Sequence, residues 1–149
     1  MAVRVQTEDF DITVEVLKLR RGNPKIGAVA CFIGLMRDIN ENVTVTEMTL
    51  EHYPAMTEKA LTEIVEQAKR RWDIMDVLVV HRVGTLKPMD QIVLVAVAGS
   101  HRRVAFAACE FIMDYLKTRA PFWKKEKTDK GVRWVEARDI DDDAAQRWH

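Results

Sequence analysis

The sequence has no excess charge of either sign: 23 Lys and Arg balance 23 Asp and Glu. Nonspecific nucleic-acid binding normally needs a strong basic excess, so this balance argues against it. No apolar run approaches the roughly 20 residues of a membrane span, so no membrane role is expected. The opening Met1-Ala2-Val3-Arg4 has no signal-peptide core, and the expected compartment is the cytoplasm. Cysteine is scarce. Cys31 and Cys109 stand far apart in apolar surroundings. A disulfide is not expected in a reducing compartment, and two cysteines without CxxC spacing make a poor metal site, so no metal is expected. No glycine-rich phosphate loop follows any predicted strand, which disfavours P-loop and Rossmann folds. Repeats, low-complexity segments and linkers are also missing. A chain of 149 residues, 48% apolar and 31% charged, is expected to form one globular domain over residues 1–149 with a real core.

The pattern predicts a first strand over Val3 to Thr7 and a helix over Asp9 to Arg21, ended by Gly22-Asn23-Pro24. Gly27 to Gly34 is a nearly continuous apolar run, read as a buried strand. Arg37 to Asn42 is polar and turn-like, and Val43 to Tyr53 alternates as a strand does. Pro54 suits the first turn of a helix running to about Trp72, with Met56, Ala60, Leu61, Ile64, Val65 and Ala68 facing inward. Asp76 to Val83 and Gln91 to Ala98 are β-branched strands joined too tightly for a crossover helix, hence antiparallel neighbours. Ser100 is the expected N-cap of the next helix, whose buried stripe is Val104, Ala108, Phe111, Ile112, Tyr115 and Leu116. Pro121 ends it. Trp123 to Lys127 and Val132 to Ala137 form an expected hairpin, and the acidic tail is expected to be loose or bound to a partner. Paired strands between helices indicate an α+β layered fold.

Three places can carry chemistry. Residues 117 to 130 hold six Lys or Arg (117, 119, 124, 125, 127 and 130) against Glu126 and Asp129, around Phe122 and Trp123. A local cation cluster beside ring faces suits a flat, anionic small molecule. Lys117 closes the helix, where its charge also suits the dipole. Lys124 lies past the proline bend, so both amines can face one cavity. Crowding by cations or desolvation beside the rings would lower a lysine pKa and open acid, base or nucleophile chemistry. Phe122 and Trp123 have a second reading as core packing under the hairpin, preferred for Trp123. The second place is Gly99-Ser100-His101-Arg102-Arg103, which sets cations at a helix start against the dipole. Either an anion docks there, or the side chains point to water or to a partner's acids. The third is Arg37, in the loop after the buried strand. His52 and His81 read as ordinary half-buried histidines of strands.

Several runs resemble one family: Phe32-Ile33-Gly34-Leu35-Met36-Arg37-Asp38, Leu50-Glu51-His52-Tyr53-Pro54, His81-Arg82-Val83-Gly84, Ser100-His101-Arg102, and above all Leu116-Lys117-Thr118-Arg119-Ala120-Pro121-Phe122-Trp123-Lys124. Together with Trp134-Val135-Glu136-Ala137-Arg138 they resemble the large, catalytic subunit of molybdopterin synthase, the MoaE family, over roughly residues 27 to 138. The resemblance implies an α/β hammerhead with an antiparallel or mixed sheet and an additional small β subdomain. It implies conversion of cyclic pyranopterin monophosphate (precursor Z) to molybdopterin, with sulfur delivered as a thiocarboxylate on a small ubiquitin-like subunit. It implies a central homodimer with one small subunit at each end, a heterotetramer, and no cofactor. By position it puts Lys117 and Lys124 at the catalytic centre, and Arg37, His101, Arg102 and Arg138 in a substrate pocket that draws on both protomers. One departure is the loop Asp38-Ile39-Asn40-Glu41-Asn42, which lacks the glycine common there. Asn adopts positive φ readily, so a turn is still expected.

Two other functions compete with this one. One is a sulfurtransferase with its own cysteine persulfide. The other is a non-catalytic module that binds an anion or nucleotide. Sulfur supplied in trans needs no cysteine in this chain. Replacing both Cys31 and Cys109 with Ala is therefore expected to leave turnover with a thiocarboxylated partner intact; loss of turnover would support the persulfide route.

Overall fold

The computed structural model describes residues 2–135 and 139–148. In chain order the elements are β1 (Ala2–Gln6), α1 (Ile12–Arg20), β2 (Ala28–Leu35), β3 (Ile39–Asn40), β4 (Val43–His52), α2 (Met56–Arg71), β5 (Ile74–Arg82), β6 (Gly84–Leu86), β7 (Gln91–Gly99), α3 (Arg102–Arg119), β8 (Phe122–Thr128), β9 (Gly131–Val135) and α4 (Asp139–Gln146). They build two sheets. The first has the order β1-β5-β7-β2. β1 runs parallel to β5, and the other pairs are antiparallel. The second has the order β3-β4-β8-β9, with β6 also paired to β4. This is the mixed α+β hammerhead with its additional β subdomain.

The first sheet is buried on both faces, and strand alternation divides its core. Val77, Val79, Val93, Val95 and Val97 point to one side, where Leu61, Ile64, Val65 and Ala68 of α2 and the Ala108–Phe111–Ile112 stripe of α3 cover them. Leu78, Val80, Leu94, Ala96 and Ala98 point to the other side, where Phe10 and Leu19 pack with Ile12 of α1. The smaller sheet closes over Met36, Val45, Met48, Leu50, Val83 and Leu86. Ile92 and Phe122 touch both this cluster and the large core, so the two sheets share a packed seam.

Local details depart from expectation for physical reasons. Asp11 caps α1 through its side chain, 3.1 Å from the Val14 N–H. Pro54 stands before α2 rather than in it. The helix starts at Met56 after Ala55, whose φ is 67°. Met56, on the first turn, is exposed rather than buried. His101, not Ser100, holds the N-cap position of α3, and its side chain makes no capping bond. The carbonyl of Ser100 is occupied with a backbone crossing instead: a Cβ at Gly27 would fall 2.2 Å from it. Only glycine fits there, and the Gly27 N–H donates to Gly99 O at 3.0 Å. The loop after Arg37 forms a two-residue hairpin turn with Glu41 and Asn42 both at positive φ (52° and 64°).

The acidic tail, expected to be loose or bound to a partner, forms α4. It docks on α3 through its C-terminal end. Ala145 is buried, the Trp148 indole N–H donates to Asp114 at 2.6 Å, and Arg147 pairs with Glu110 and Asp114. Trp148 also meets Trp72 and Phe111 edge-on.

Phe111 is the hinge of this packing, 1% exposed and in ring contact with Trp72, Tyr115 and Trp148. Phe111→Ala is expected to lower stability by about 3–5 kcal/mol, the usual range for a large core truncation. Urea denaturation measures it, and a loss under about 1 kcal/mol would contradict this packing.

Candidate active site

The chain reverses direction at Ala120-Pro121, and the reversal builds a cavity. α3 carries Lys117 in its last turn. β8 starts at Phe122, directly after Pro121, and pairs antiparallel with β4 in the register His52↔Phe122 and Leu50↔Lys124. Alternation then turns Phe122, Lys124 and Glu126 toward the inside, and Trp123, Lys125 and Lys127 toward the outside. The cavity between the helix end and the small sheet has a volume of about 370 Å³. Lys117, Lys124 and Arg37 all line it. Arg37 arrives from the loop after β2, which is pinned by backbone bonds between Met36 and both Met89 and Asp90 at 2.9 Å.

The charge of this cavity is predominantly positive. Among the described residues Glu126 is its one lining carboxylate, and it is already engaged. It is 3% exposed and accepts from Arg133 Nε and Nη2 at 3.1 and 3.0 Å and from the Asn40 amide at 3.0 Å. Arg133 also donates to Asn40 O at 3.0 Å. This network ties β3, β8 and β9 together and stiffens the wall that carries Lys124. Removing either partner would leave this buried carboxylate uncompensated, which is strongly unfavourable.

The other expected site residues are distributed differently. His101 and Arg102 are exposed at the start of α3, and Lys117 is fifteen residues further along the helix, about 22 Å at 1.5 Å per residue. Within one chain the fold does not bring them to the cavity. Arg138 lies outside the described residues. Trp123 is not core packing: it is 37% exposed, and its ring stands edge-on to Tyr53 at 4.4 Å. It separates the cavity from a shallower cleft lined by Glu51, His52, Tyr53 and Trp134. Neither cysteine lines the cavity. Burial pushes the Cys109 thiol up to about 12 and raises that of Cys31, so neither is an activated thiolate. Among the described residues there is no cluster of His, Cys, Asp and Glu that could hold a metal.

One lining residue was missed by sequence reasoning. His81 is 5% exposed, not half-buried, and its ring stacks on Phe122 with centroids 4.0 Å apart and planes 20° from parallel. Its pKa falls to about 4, mainly because burial disfavours the charged form. Lys117 and His52 lower it further, against an opposing bond to the Arg82 carbonyl. The alternation of β5 was legible in the sequence. That this inward position opens on a cavity was not, because Phe122 and Lys117 reach it from distant parts of the chain.

The family profile described as "MoaE protein" matches residues 5–119. The chain belongs to the MoaE family. The match begins well before the first recognisable motif and takes in the whole of α1. The molybdopterin synthase catalytic subunit of Ralstonia nicotianae is 64% identical over 146 residues, 98% of this chain and 83% of that protein. The molybdopterin biosynthesis MoaE protein of Burkholderia ambifaria superposes with a TM-score of 0.86 at 61% identity, covering 99% of this chain and 98% of that one. The fold alone is shared with a protein–protein complex of subunits 1 and 2 of molybdopterin-converting factor from Helicobacter pylori, at a TM-score of 0.72, 20% identity and 91% coverage of each chain.

His81 makes stability depend on pH with a defined sign. Its folded pKa of about 4 lies below the ordinary 6.5, so the unfolded chain binds the extra proton between these values. Stability is unaffected above about pH 6.5 and is lost as pH falls toward 4, by on the order of 3 kcal/mol. His81→Phe is expected to flatten this part of the stability–pH curve in denaturant titrations; an unchanged slope would exclude His81 as its source.

Proposed function

We propose that this chain is the sulfur-transferring catalytic subunit of molybdopterin synthase. It acts in the cytoplasm as a single domain, with a small ubiquitin-like carrier subunit as its partner. The observation that carries the reading is that Lys117 and Lys124, from opposite sides of one proline bend, open into a single cavity with Arg37. The carrier's C-terminal tail enters this cavity and presents its thiocarboxylate to the pterin phosphate. The two ammonium groups attract the anionic sulfur donor. They then stabilise negative charge that develops as sulfur attacks the pterin side chain, in a site partly closed to water. Arg37 suits the phosphate, because a guanidinium can bind it through two hydrogen bonds. The cavity needs no thiol of its own, in keeping with two unactivated cysteines outside it.

His101 and Arg102 join the site across a homodimer in this reading. β2 is an edge strand of the large sheet and exposes Phe32 and Leu35, and α3 exposes Phe106. Its Ala28 end pairs with Gly99, next to the start of α3, while its Leu35 end leads into Met36 and Arg37 at the cavity. An antiparallel meeting of two β2 edges around a two-fold axis sets the Ala28 end of one copy beside the Leu35 end of the other. Each α3 start then approaches its partner's cavity, and the cations at that helix N-terminus gain the phosphate that reverses their unfavourable position.

Lys117→Ala is expected to fold normally and to lose about a hundredfold or more in rate. The assay mixes the purified chain with thiocarboxylated carrier and precursor Z and measures molybdopterin by mass spectrometry. Near-wild-type product formation by the variant would refute the role of Lys117, and no product from the wild-type chain would refute the function.

A further inference from the structure

His81 has one nitrogen committed and one open. Nδ1 lies 2.8 Å from the Arg82 carbonyl oxygen. A carbonyl can only accept, so Nδ1 carries the hydrogen and Nε2 of the neutral ring carries the lone pair. Among the described residues no buried side-chain nitrogen or oxygen is without a partner. Nε2 has none, so it is not fully buried, and His81 lines the cavity together with Lys117. The stack on Phe122 holds the ring plane. Phe122 is itself fixed, by its pairing with His52 in the sheet and its packing in the seam between the two cores.

We propose that His81 is a positioning residue for Lys117: a neutral imidazole of fixed tautomer whose Nε2 accepts a hydrogen bond from the Lys117 ammonium when the site is loaded. This rests on the sulfur-transfer reading. The choice of side chain follows from charge. A carboxylate at this position would pair with the lysine, cancel the charge meant for the incoming anion and repel that anion. A protonated histidine would push the ammonium away. A neutral acceptor gives direction to a flexible four-carbon side chain and leaves its charge available. The balance of groups around His81 favours the neutral form, with only the bond to the Arg82 carbonyl opposing it. The side chain is buried, Lys117 and His52 face it with like charge when protonated, and Arg37 and Lys124 add positive charge to the same cavity. Glu126 lines that cavity too, but its charge is taken up by Arg133.

Three variants separate this role from a structural one. Gln places an acceptor near Nε2, Asn places a donor near Nδ1 for the Arg82 carbonyl, and Phe keeps only the stack. Steady-state turnover with thiocarboxylated carrier and precursor Z is the readout, with thermal unfolding checked for each variant. His81→Phe and His81→Asn are expected to lower kcat about tenfold with KM little changed, the scale of a lost orienting contact, while His81→Gln stays within about threefold of wild type. Wild-type turnover by His81→Asn, or equal losses in the Asn and Gln variants, would overturn the assignment. So would a reversed or doubly protonated ring in nitrogen-15 NMR of the histidine-labelled chain at pH 7, with the His81 signals assigned by their absence from His81→Phe. That spectrum does not depend on activity. A wild-type chain that makes no molybdopterin would instead remove the sulfur-transfer reading on which the proposal rests.

Discussion

The antiparallel pairing of β8 with β4 is the constraint on which the site depends. Pro121 cannot continue α3, and Phe122 enters the small sheet at once, in register with His52. From that one pairing the period of a strand fixes everything downstream. Phe122 faces His81, Lys124 faces the cavity, and Glu126 reaches the buried network with Arg133 and Asn40. A slip of one residue would turn Lys124 outward and bring Trp123 in. The register is secured by burial of Val45, Met48 and Leu50 on the inner face of β4 and by the ion-paired Glu126 at the far end of β8.

The cavity wall combines a neutralised carboxylate with cations that line the space. Glu126 is satisfied within the fold by Arg133, and its role is rigidity. Lys117, Lys124 and Arg37 line the space itself. His81 adds polarity there without adding charge, because burial keeps it neutral. A cavity lined by three cations is thereby assembled in a chain of zero net charge. The balance of the whole sequence describes its surface and solubility, whereas binding depends on the few charges that the fold gathers.

Much of this fold was legible because the signals are local. The stripe of α3, the β-branched runs of β5 and β7 and the stop at Pro121 each follow from neighbours within a few residues. The convergence of Lys117 and Lys124 was legible for the same reason, since a helix end, a proline and a strand are consecutive. Elements whose stability comes from docking were less legible. α4 looked like a loose acidic tail because its anchors, the contacts of Ala145, Arg147 and Trp148 with α3, lie outside its own pattern. β3 and β6, of two and three residues, exist only through their pairing with β4. Trp123 was read as core although strand alternation beside Lys124 already assigned it to the other face.

By itself the sequence determined the first three helices and the longer strands, where α3 stops, and that two lysines flank that stop, because propensity, periodicity and proline geometry act over a few residues. The tertiary structure alone decided that His81 stacks on Phe122 beside Lys117, that Glu126 is neutralised by Arg133, and that the cations at the start of α3 stand a full helix length from the cavity of their own chain. Those relations depend on distances between elements far apart in the chain, and such distances are set by packing of the two sheets rather than by any local preference.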